Sequence, residues 1–110
     1  MKIELKEKGN GTVVCLSGRM DAETAPLFQE QCSALGVQNG ARLAVDFSDL
    51  EYISSAGLRG ILAVGKKLKA TNGTLCLCNM NGMVKEVFEI SGFTGIFPVF
   101  DSTESALESD

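Results

Sequence analysis

The run ARLAVDF, residues 41–47, constrains the fold more than any other stretch, because of what stands on either side of it. It is rich in branched apolar residues and suits a central strand. Before it lies RMDAETAPLFQEQCSALG, which reads as a helix over about 23–35. Asp21 and Thr24 offer caps to that helix, Pro26 suits its first turn, and Gly36 offers a stop. After the run, SDLEYIS reads as a connector carrying two hydrophobic anchors, Leu50 and either Tyr52 or Ile53. From Ala56 the positions Leu58, Ile61, Leu62, Gly65 and Leu68 recur at helical spacing, with Arg59 and the lysines off that stripe. Asn72-Gly73 ends this second helix.

The same alternation continues. TLCLCNM reads as a strand, and GMVKEVFEISG as a helix with Val84, Val87 and Phe88 on one side and Gly92 closing it. IFPVF is a short strand that Pro98 confines to an edge or terminal position. STESALES supplies a last helical turn or two with Ser102 as cap. At the other end, KIELKEK alternates apolar Ile3 and Leu5 against charged neighbours, GNG marks a turn, and TVVCLSG follows as a second strand, so the first eighteen residues predict a hairpin. The expected order is β-β-α-β-α-β-α-β-α: a single α/β domain over 1–110 with a mixed sheet, antiparallel at the hairpin and parallel through right-handed crossovers thereafter.

Composition narrows the function. At 110 residues the chain can bury roughly two-thirds of its unfolded surface without staples. A net charge of −4 argues against nucleic acid or an anionic membrane as partner. No apolar run approaches the ~20 residues that span a bilayer, and the charged N-terminus has no signal-peptide core, which together predict a cytosolic protein. There a reducing environment keeps Cys15, Cys32, Cys76 and Cys78 as thiols, read as small buried hydrophobes; on a strand, Cys76 and Cys78 share a face. With no histidine and no C-x-x-C pair, a metal site is not expected, and Ser-His-Asp and Cys-His nucleophiles are excluded. The chain also has no Walker A loop, no G-x-G-x-x-G opening a helix after a strand, and no G-x-S-x-G elbow. No cofactor is implied, and catalysis is not expected.

What remains is the junction ISSAGLR at 53–59. A serine just ahead of a helix accepts a bond from an orphan N–H, and one serine satisfies that need. The second is then available to solvent at the positive end of a helix, where a phosphate is well accommodated. Gly57 lets another backbone come close, and Leu58 and Arg59 border the same surface. The residues alone leave both readings open, a cap only or a modified docking site.

The stretch LAVDFSDLEYISSAGLRGIL resembles the signature of the STAS domain, specifically of bacterial anti-sigma-factor antagonists. VVCLSGRMDAETAPLF is similar to that family's second strand, Gly-x-x-Asp turn and first helix, and ATNGTLCLCNMNGMVKEVFEISGF to its Asn-Gly turn, fourth strand and following helix. The resemblance covers nearly the whole chain. It implies a partner switch, in which the unphosphorylated antagonist binds an anti-sigma factor, often a serine kinase, and is released when the kinase phosphorylates a serine; a PP2C-type phosphatase reverses the mark. By the family's pattern the modified serine stands two positions before the glycine, which is Ser55 here, with Ser54 the lesser candidate because it replaces the acidic residue common at its position. The docking surface so implied comprises Asp21, Thr24, Ser54, Ser55, Ala56, Gly57, Leu58 and Arg59, on a protein expected to be a monomer. The same resemblance also covers a constitutive STAS subunit of a lipid-transport ATPase complex, in which the junction is only a cap, and a ligand-sensing STAS module for a nucleotide or lipid.

Overall fold

The computed structural model of the chain describes residues 1–9, 11–33 and 40–108. Five strands form one sheet in the order of the sequence: β1 (Lys2–Lys8), β2 (Gly11–Met20), β3 (Arg42–Ile53), β4 (Thr74–Cys78) and β5 (Val99–Phe100). The first pair is antiparallel and the other three are parallel. Between the parallel strands run α1 (Ala25–Ser33), α2 (Ser55–Ala70) and α3 (Gly82–Ile90), and α4 (Thr103–Glu108) closes the described chain. The mixed α/β sheet expected from the alternation is the one observed. The proposed stop at Gly36 and the last residues of the predicted first helix lie outside the described residues, as does Asn10 of the first turn.

Three crossovers that step the same way across the sheet, each with the same hand, place their helices on one face. The main core accordingly lies between the sheet and α1, α2 and α3, where Phe28, Phe47, Phe88, Ile61 and Leu68 are buried against Val14, Leu16, Val45 and Leu77. Phe47, Phe88, Phe93 and Phe97 form a chain of tilted and edge-on ring contacts. The opposite face carries shorter side chains, Ala44, Cys76 and Cys78, and so lets α4 settle close with Ala106 and Leu107. Cys76 and Cys78 do share a face, as their spacing predicted. Ser102 caps α4, accepting the Ser105 N–H at 3.1 Å.

SDLEYIS is not a connector: β3 runs on through it to Ile53. Its continuation pairs with β2 across two irregularities in register, Ser17 with Asp49 and Gly18 with Leu50 after the first, and Met20 with Ile53 after the second. Asp46 holds the bend, its Oδ1 accepting from the Ser48 N–H at 2.9 Å and from Asn79 Nδ2 at 3.2 Å. Pairing of β3 with β4 stops at Asp46 and Cys78, so the far end of β3 has β2 as its strand neighbour. Leu50 and Ile53 are the buried anchors, while Tyr52 is half-buried under the Arg19 guanidinium, 4.2 Å from its ring centre. The cysteines also divide: three are buried, but Cys15 is only half so.

Candidate functional site

The extension of β3 delivers the chain to the start of α2 directly beside the end of β2. Met20 and Ile53 are register partners, and one residue later the Ser54 N–H donates to the Met20 carbonyl at 2.9 Å. The turn after β2 and the turn into α2 therefore form one corner at the carboxyl ends of adjacent parallel strands.

The two serines divide their work. Ser54 has extended dihedrals and its Oγ accepts the Gly57 N–H at 3.2 Å, while its carbonyl accepts the Leu58 N–H. It is the N-cap. Ser55 is the first helical residue and is exposed, and among the described residues its hydroxyl has no hydrogen-bond partner. No carboxylate occupies the first turn of α2. Arg59 is exposed four residues on, which places it on the same helical face as Ser55. Ala56 and Leu58 are half-buried alongside.

Gly57 plays a part other than the one expected. It is buried, and the backbone that comes close to it is the chain's own: a Cβ there would lie 2.7 Å from Ile53 Cγ1 and 2.9 Å from the Met20 carbonyl oxygen. The glycine lets α2 sit down on the β2–β3 corner; it does not face outward to admit a partner.

Asp21 and Thr24 form a closed reciprocal cap. Asp21 Oδ1 accepts the N–H groups of Thr24 at 3.1 Å and Glu23 at 3.0 Å, while Thr24 Oγ1 accepts the Asp21 N–H at 2.8 Å. Those donors, Thr24 first and Glu23 second, hold the Asp21 carboxyl below the usual carboxylate range. Asp21 is thus a fixed negative charge on the same corner as the junction serines.

Sequence reasoning offered Tyr52 only as a possible anchor and did not pair it with Arg19. They stack because parallel register makes them partners across β2 and β3, a relation invisible along the chain. It also passed over a polar groove of about 380 Å³ beside the far end of β3, where Asp49 and Glu51 face Asn81 and Met83 at the start of α3. Among the described residues no group of His, Cys, Asp and Glu side chains is placed to hold a metal ion. Burial pushes the Cys32 and Cys78 thiols up to about 12, and raises Cys76 and Cys15 as well, so none is poised as a nucleophile. None of the described helices is long and apolar enough to cross a membrane.

The model of the STAS domain family matches residues 2–106. The chain belongs to the STAS domain family. BtrV of Bordetella bronchiseptica, provisionally named an anti-sigma factor antagonist, is 40% identical over 106 residues, spanning 96% of this chain and 91% of the relative. The fold matches a Thermotoga maritima crystal structure with a TM-score of 0.87 at 21% identity, covering 96% of this chain and 92% of the other. It also matches SpoIIAA, described as an anti-sigma factor antagonist. The unphosphorylated form gives a TM-score of 0.80 at 24% identity, covering 94% and 90% of the two chains. The phosphorylated Bacillus form gives 0.74 at the same identity, covering 94% of each.

Proposed function

We propose that this STAS chain is an anti-sigma-factor antagonist whose docking is controlled by phosphorylation of Ser55. Unmodified, it binds an anti-sigma factor that is a serine kinase through the corner made by Asp21, Thr24, Ser54, Ser55, Ala56, Leu58 and Arg59. The kinase transfers a phosphoryl group to Ser55 and the complex separates; a PP2C-type phosphatase restores the hydroxyl. The protein works by regulated binding in the cytosol, as a monomer.

The observation that carries this reading is the division of labour between the two serines. Ser54 is engaged by the Gly57 N–H, whereas Ser55 is exposed and has no structural task. A phosphate on Ser55 sits at the positive end of α2, within one turn of Arg59, so the fold tolerates it. The docked partner does not: burying an unpaired dianion in an interface costs on the order of 3 kcal/mol or more, which weakens binding about a hundredfold.

The test combines intact-mass analysis with binding. Wild type, Ser54→Ala and Ser55→Ala are incubated with ATP and the serine-kinase anti-sigma factor of the same host. Wild type and Ser54→Ala should gain one phosphate, on Ser55, and Ser55→Ala none, while all three bind the kinase. Ser55→Asp, with one charge in place of the dianion's two, should bind at least about tenfold more weakly. Undiminished phosphorylation of Ser55→Ala refutes the site, and wild-type affinity in Ser55→Asp refutes the charge mechanism.

A further inference from the structure

At the opposite end of α2 lies a second groove, of about 380 Å³, which the partner switch does not use. It is open because of two local features. The short β5 pairs only with Leu77 and Cys78, so the first half of β4 has no strand beside it there. Gly65 carries no side chain, which lets the Phe97 ring lie against α2 and line the groove. The walls are Leu62, Leu75 and Phe97, and Ile96 forms a lip that is 55% exposed.

The rim has one sign of charge. Lys66 and Lys69 both line the groove, both are exposed, and among the described residues neither has an ion-pair partner. No carboxylate lines it, although the chain as a whole carries −4. Each class of occupant meets these facts differently. A cation is repelled by the lysines. A nucleotide base finds little to stack on, since Phe97, the one aromatic residue lining the groove, is only 9% exposed. A protein partner needs about 800 Å² on each side, whereas this is a compact cleft in the size range of small-molecule sites, about 300–1,000 Å³. An aliphatic chain with one anionic head satisfies both the walls and the rim.

We propose that this groove binds a single-chain aliphatic carboxylate, its tail on Leu62, Leu75, Ile96 and Phe97 and its head between Lys66 and Lys69. The site stands independently of the Ser55 switch. The two lysines stand eleven and fourteen residues of helix beyond Ser55, about 17–21 Å at the helical rise, and Leu62, at the near end of the groove, stands seven residues beyond it, about 10 Å.

The test titrates sodium dodecanoate, decanoate and octanoate, below micelle formation, into the full chain labelled with nitrogen-15. Amide shifts should concentrate at Leu62, Gly65, Leu75, Ile96 and Phe97, and each pair of methylenes removed should weaken binding about tenfold. Lys66→Glu/Lys69→Glu changes exposed side chains and should weaken octanoate at least tenfold while leaving neutral 1-octanol unchanged; Ile96→Asp should weaken both. Shifts centred elsewhere, an affinity indifferent to chain length, or a double variant that binds octanoate as wild type does each overturn the proposal. So does capture of an acidic amphipathic peptide by a groove that ignores dodecanoate.

Discussion

Replacing Gly57 by alanine places one methyl group where the structure has least room. Its Cβ would lie 2.7 Å from Ile53 Cγ1, 2.9 Å from the Met20 carbonyl oxygen and 3.2 Å from Met20 Cγ. The middle contact decides the outcome, because it is backbone and cannot rotate away. That carbonyl also accepts the Ser54 N–H at 2.9 Å, so relieving the clash pulls apart the bond that ties α2 to β2. Overpacking of this kind costs about 1–3 kcal/mol, and a weakened buried hydrogen bond adds about 1 kcal/mol. Against this, alanine is the better helix former by up to about 1 kcal/mol. The net expectation is a loss of about 2 kcal/mol, read in urea as a midpoint lower by about 1–2 M with unchanged slope. Gly60→Ala is the internal control. Its nearest neighbour is the Ala25 Cβ at 3.3 Å and the next are ends of flexible side chains, so it should lose under about 1 kcal/mol or gain. If Gly57→Ala proves as stable as wild type, or if the two glycines respond alike, the close approach of α2 to the β2–β3 corner is not what this glycine serves.

The two serines should separate in stability as they do in geometry. Ser54→Ala loses the cap and about 1 kcal/mol, lowering the melting temperature by about 4–8 °C, whereas Ser55→Ala should stay within about 0.5 kcal/mol of wild type; equal effects in calorimetry would refute the assignment. The thiols make a pH prediction with a definite sign. Burial raises Cys32 and Cys78 from 9.0 to about 12, so the unfolded chain surrenders their protons before the folded one does. Their contribution is complete below about pH 9 and is lost as pH climbs towards 12, and urea midpoints at pH 8 and 10.5 should fall accordingly. At pH 8 an aromatic disulfide reagent should modify half-buried Cys15 first, and Cys32, Cys76 and Cys78 only after urea unfolds the chain.

Much of the architecture was legible because it rests on short-range signals. The Cys76–Leu77–Cys78 alternation, the apolar spacing from Leu58 to Leu68 and the Ser102 cap each refer to neighbours within a few residues. The misreadings share a different cause. SDLEYI has the composition of a connector, and it becomes a strand only because β2 offers parallel pairing beyond a bend locked by Asp46 and Asn79, residues 33 positions apart. Gly57 reads as an open position until Met20, thirty-seven residues earlier, is brought beneath it. Arg19 and Tyr52 acquire meaning only from the same register. The junction was identified from local pattern, but the reason it is a corner lies in the β2–β3 pairing.

That pairing also bears on how the proposed switch keeps the helix cap apart from the modified serine. A single hydroxyl that both caps α2 and receives a phosphate would couple modification to the helix start, since each transfer would disturb the bond to the Gly57 N–H and, through it, the seat on Met20. Ser54 takes the cap and has the Met20 carbonyl behind its own N–H, so the corner is held from both sides before Ser55 is touched. Ser55 then stands one residue further on, where φ and ψ are already helical and its side chain points clear of the core. In the proposed switch, its change of charge is met by the helix dipole and by Arg59 on the same face, both of which favour the phosphorylated form within the free protein. The free-energy cost falls on the complex alone, and that asymmetry is what a partner-releasing modification requires.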